Sequence, residues 1–166
     1  MKSFFTKSTK MLCDVGAFIA SALLIGLVLL ILVEIVLRYF FNTSTMRADE
    51  YSGYLYLAIV CFGLGYTFLR DGHIRITFLT AKISSKASSW VDIFAGIVTL
   101  IVLIFAFVRT VLLVIDSYET GVLSEGVSAT PLFIPQLALP LGFLLFILAV
   151  ISFVLHRITG GHHHDR

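Results

Sequence analysis

The stretch VGAFIASALLIGLVLLILVEIVL, Val15 to Leu37, decides how this chain must be read. It carries a single charge, Glu34, in a run long enough to cross a bilayer, for which a helix needs about 20 mostly apolar residues. Three further windows share its character: Tyr51 to Leu69, Ile93 to Val108 (continuing to Ile115 across Arg109), and Gly126 to Leu155, where helix is expected to begin near Pro135. None shows the strict alternation of a membrane β-strand, and helices satisfy their own backbone hydrogen bonds as lipid demands. The expected fold is an all-α integral membrane protein of four transmembrane helices in a single membrane domain spanning 1–166. The spans are placed near 12–37, 49–69, 90–115 and 135–156.

The rest of the chain agrees with that stretch. Hydrophobic residues make up 58% of the 166 positions and charged residues 13%, where a soluble domain carries about 25% charged. Mean hydropathy is +1.00. A globule this small cannot hide so much apolar surface, so soluble enzymes, nucleic-acid-binding modules and disulfide-stapled secreted domains are excluded. A net charge of +2 gives no ground for a polyanionic partner. The first span follows Lys2, Lys7 and Lys10, as a signal peptide would. Its apolar run exceeds the roughly 7–15 residues of a signal core and no small-residue cleavage site follows, so it is expected to remain as an anchor.

Basic residues set the expected orientation. Nine of them (Lys2, Lys7, Lys10, Arg70, Arg75, Lys82, Lys86, Arg157, Arg166) fall on one side, and only Arg38 and Arg47 on the other. Both termini are therefore expected in the cytoplasm. Tyr39, Phe40, Phe41 and Tyr51 then mark the outer interface and Trp90 the inner one. Cys13 and Cys61 differ in depth by more than a disulfide spans, so both are read as free packing residues. Between the second and third spans, Ile76, Leu79, Ile83, Ala87 and Trp90 recur at helical spacing, flanked by Arg75, Lys82 and Lys86. That pattern suits an interfacial amphipathic helix with its basic side chains reaching anionic headgroups.

Charges inside a membrane are functional candidates by default. Glu34 lies about one turn inside the outer boundary with Arg38 four residues on, the favourable orientation for an intrahelical pair. Arg109 lies at a comparable depth in the third span. Two readings stand: Glu34 pairs with Arg38 while Arg109 snorkels, or a Glu34–Arg109 ion pair fixes the first helix to the third. Glu34 could alternatively carry protons in a self-sufficient small exporter. His73 and His156, at the inner ends of the second and fourth spans, raise a haem-bearing anchor of a redox complex as another alternative. The tail His162, His163 and His164 has no geometry for a preformed metal site. No span carries an ionisable residue at its middle, and no paired mid-span Gly/Pro breaks suggest the discontinuous helices of a transport site. Pro140 stands alone and is expected to kink the fourth helix. Gly16 with Ala20, Ala22 with Gly26, and Gly63 with Gly65 are candidate close-packing positions.

The block from Glu34 to Leu79 resembles the small permease subunit of tripartite ATP-independent periplasmic (TRAP) transporters. Arg38, Tyr39, Phe40 and Phe41 match the Arg-Tyr-x-Phe end of that family's first helix. Asp49 and Glu50 match the acidic pair opening its second helix. Gly63 and the turn Arg70, Asp71, Gly72, His73, Ile74, Arg75 match its close. Pro131, Pro135, Pro140 and Gly142 echo the approach to its last helix. Where the family commonly places a Trp ahead of the acidic pair, this chain has Met46 and Arg47.

The residues have physical roles of their own. Gly72 can stop a helix in a left-handed conformation, and Arg70, His73 and Arg75 suit a helix C-terminus facing anionic lipid. Asp49 and Glu50 favour a helix N-terminus, a reading that competes with docking to a partner. The resemblance implies a non-catalytic subunit with no cofactor of its own. A large membrane subunit would carry substrate and coupling ion, commonly sodium, by symport, and a periplasmic binding protein would deliver an organic acid. The small subunit would brace the large one and help form the docking surface in the bacterial inner membrane. Arg38, Tyr39, Asp49, Glu50, Arg70, Gly72, His73 and Arg75 are the candidate partner or lipid interface.

Overall fold

The computed structural model describes residues 2–70 and 85–158. Helix α1 (Lys2–Phe41) is continuous over 40 residues, about 60 Å at 1.5 Å per residue. It begins well ahead of the apolar run, because Lys7 and Lys10 are good helix formers although they are poor membrane residues. It stops where Asn42 adopts a left-handed φ of 47°, a conformation that Asn tolerates better than most residues. Helix α2 (Ala48–Leu69) opens with Asp49 and Glu50 in its first turn, where carboxylates complement the helix dipole.

Helix α3 (Ser85–Glu119) starts five residues before the expected span. Its first residue is Ser85, a residue type common at helix starts. Ala87 and Trp90, assigned above to an interfacial helix, therefore belong to α3. The remainder of that expected helix lies outside the described residues. Gly121, at φ 63°, follows the end of α3.

A short hairpin-like loop comes next, with Leu123 and Pro131 bridged antiparallel. Ser124 donates its backbone N–H to the Thr130 carbonyl at 2.9 Å and Leu132 donates to that of Val122 at 3.0 Å. The last span is built from α4 (Phe133–Gln136) and α5 (Ala138–Ile158), separated only by a jog at Leu137. That interruption falls three residues before Pro140, and Leu137 itself keeps helical φ and ψ of −57° and −27°. A proline has no N–H for the carbonyl four residues back, here that of Gln136, and is tolerated in a first helical turn such as that of α5.

All four spans are long and apolar enough to cross a membrane. Neighbours follow the order α1, α2, α5, α3, with α1 also reaching α5. Helix α5 is the centre: 44% of the apolar window over Phe133–Leu155 is buried, against 6% for the window in α3. The core cluster is Leu103 of α3 with Ile147, Val150 and Val154 of α5. Beside it Phe68 meets Phe146 and Phe153 edge-on at 5.4 and 5.5 Å between ring centroids.

Close approach depends on glycine where α1, α2 and α5 meet. A Cβ on Gly142 would stand 2.6 Å from the Cys61 carbonyl oxygen, and one on Gly16 2.9 Å from that of Phe62. Gly65 has the Cys13 sulfur 3.1 Å from its Cβ position. Both cysteines are free and buried. Gly26 and Gly63 face open space instead, so among the described residues nothing packs closely on Gly26 of the Ala22/Gly26 pair.

Candidate functional site

The polar chemistry of the described residues gathers at the end of the bundle that carries segments 42–47 and 120–132, the loop end. There Glu34, only 6% exposed, acts as the acceptor that folds the first loop. Its Oε1 accepts from Arg38 Nε at 2.8 Å and Ser44 Oγ at 2.5 Å. Its Oε2 accepts from the Thr45 hydroxyl at 2.6 Å and the Thr45 backbone N–H at 3.2 Å. The same hydroxyls then order the start of α2: Ser44 Oγ accepts the Met46 N–H at 3.1 Å, and Thr45 Oγ1 accepts that of Arg47 at 3.3 Å. Met46 sits at a left-handed φ of 55° within this turn. A charged acceptor with several donors holds a conformation that the backbone alone disfavours.

Arg38 also approaches Asp49 at 3.8 Å, but the Asp49 side chain is 92% exposed. Such a surface pair contributes little. Of the two arrangements open for Glu34, the pair with Arg38 forms. The Glu34–Arg109 pair does not: α3 packs on α5, both Glu34 oxygens are engaged at the α1–α2 turn, and Arg109 is exposed.

Glu50 does for the second loop what Glu34 does for the first. Its Oε1 accepts from the Tyr54 hydroxyl at 2.7 Å, and its Oε2 accepts from Ser128 Oγ. Thr130 Oγ1 donates to Ser128 Oγ at 2.9 Å and lies 3.2 Å from the Tyr51 hydroxyl. The Thr130 N–H donates to Ser124 Oγ at 3.1 Å. Gly126 lies directly against the Glu50 carboxylate, where a side chain would collide with it. One residue of the acidic pair is thus a clamp and the other, Asp49, faces solvent.

Tyr39 is 78% exposed and packs edge-on to Phe40. At the opposite end Arg70 lies 5.2 Å over the Tyr66 ring and 4.0 Å from Asp14. Gly72, His73 and Arg75 lie outside the described residues, as does the side chain of His156. Ser44, Thr45, Ser124, Ser128 and Thr130 were not singled out from sequence. Their density in these two loop segments was the available signal. Among the described residues no three His, Cys, Asp or Glu side chains converge as metal ligands do.

The class is now defined: a four-span membrane bundle in which a buried carboxylate, Glu34, and a half-buried one, Glu50, order the loops at one end. The model of the tripartite ATP-independent periplasmic transporter family, DctQ component, matches residues 27–160, and the chain belongs to that family. It is a small subunit of a TRAP transporter and a multi-pass inner-membrane protein. Comparison with curated proteins gives no match.

Proposed function

We propose that this subunit is non-catalytic and braces a large permease subunit. At its loop end it helps dock a periplasmic binding protein, for ion-gradient-driven symport of an organic acid. The observation that carries the reading is the use of Glu34 and Glu50: both are consumed in ordering loops at one end of a bundle with no charge at mid-span. A rigid exposed platform is what docking needs, and a span without polar partners is poorly suited to carry a polar solute. In this reading both termini are cytoplasmic and the loop end is periplasmic. The inner surface, with Arg70, His73 and Arg75, meets anionic lipid. The coupling ion, sodium, belongs to the large partner, and the subunit holds no cofactor.

The test is uptake of a labelled organic acid by proteoliposomes. The chain reconstituted alone is expected to give none, and the complex with its large permease and binding protein to give sodium-dependent accumulation. Robust transport by this chain alone overturns the proposal. Within the complex, Glu34→Gln is expected to lower uptake only partially. Complete loss with an intact assembly favours a proton-carrying Glu34.

A further inference from the structure

Arg109 lies inside the span Trp90–Glu119 without an ion-pair partner among the described residues. It is exposed on α3, and among the described residues no carboxylate lies within ion-pair distance and no acceptor within hydrogen-bond distance of its guanidinium. Asp116 and Glu119 lie seven and ten residues on, about 10 and 15 Å away along the helix. Snorkelling to that nearer boundary is hindered by direction. Helical side chains lean toward the N-terminus, which for α3 is the far end of the bundle. A lipid-facing arginine at this depth is expensive.

The surface around it is that of a helix waiting for a neighbour. Val98, Val102, Phe105, Arg109, Leu112 and Asp116 fall at the a and d positions of a heptad, the spacing of a helix-packing seam. This seam is turned away from the core, with Val102 60% and Phe105 68% exposed, while Leu103 on the other side packs against α5.

We propose that this seam of α3 is where the large permease subunit packs, and that the permease presents a carboxylate to Arg109 at matching depth within the membrane. The assignment rests on the proposed bracing role. Charge complementarity selects the occupant. A second copy related by a twofold axis along the membrane normal would set Arg109 against another arginine and Asp116 against another aspartate, and a lipid phosphate lies at the boundary that the arginine reaches poorly.

The test is co-purification of the tagged chain with its large permease subunit, from detergent, with the melting temperature of the isolated subunit measured in parallel. Arg109→Glu and Arg109→Gln are expected to lower retention of the permease about tenfold or more. Arg109→Lys should retain an intermediate amount, and the isolated subunit's melting temperature should not move. Rescue of Arg109→Glu by an arginine in place of a permease carboxylate would identify the pair. Unchanged retention in Arg109→Glu overturns the proposal. So does a homodimer cross-linked through Phe105→Cys in the native complex, or loss only of bound anionic lipid in Arg109→Gln. Failure of the unmutated chain to retain any permease refutes the bracing role itself and is recognised before any variant is made.

Discussion

At the residue scale the molecule turns on two carboxylates, each ordering one loop. Glu34 has an i+4 partner written into the helix, so the Glu34–Arg38 pair was legible as one of two arrangements, with the choice left to the fold. Ser44 and Thr45 were not legible, since they reach Glu34 only after the chain turns through Asn42 and Met46. Glu34→Gln keeps the shape but loses the charge and one acceptor position. Faster amide exchange at Thr45, Met46 and Arg47 is the expected outcome by exchange mass spectrometry, with the helices protected as before. Glu50→Ala removes the acceptor of Tyr54 and Ser128. It should release segment 120–132, seen as increased exchange at Ser124 and Thr130, and weaken capture of the binding protein. Wild-type exchange in that loop would show that Glu50 is not its clamp.

At the element scale the spans follow from hydropathy while the helix limits follow from other chemistry. Hydropathy finds where a helix is apolar; α1 and α3 continue beyond their apolar parts because lysine and N-terminal serine are compatible with helix. Which glycines matter is likewise decided by neighbours. Gly142→Ala would drive a methyl group into the Cys61 backbone. Overpacking of this kind costs about 1–3 kcal/mol, here at the upper end because backbone yields less than a side chain. Gly63→Ala, with nothing within 4 Å of its Cβ position, should be neutral or stabilise by up to about 1 kcal/mol through helix propensity. Melts of the two variants in one detergent compare them directly, and equal melting temperatures would contradict the packing described.

At the scale of the whole molecule, α5 is the shared neighbour of α1, α2 and α3, and α3 is held chiefly by its contact with α5. Leu103→Ala should therefore loosen α3 selectively. Lipid is as apolar as leucine, so the loss is mainly of packing, and about 2 kcal/mol is expected, the low end of the range for such truncations. Orientation is testable because native Cys13 and Cys61 are buried. A membrane-impermeant maleimide on intact cells should label Glu125→Cys and not Lys7→Cys, and the reverse pattern would invert the topology. The sequence by itself determined the class, the number of spans and the family resemblance. Each is carried by local composition and by motifs within one helix or turn. Only the tertiary structure decided that Glu50 and not Asp49 clamps the second loop, that Glu34 pairs with Arg38 rather than Arg109, and that Gly142 rather than Gly63 lies against a neighbouring backbone. These depend on which helix faces lie against one another. In a chain apolar on nearly every face, hydropathy carries no record of that choice; close packing and the placement of a few polar donors settle it.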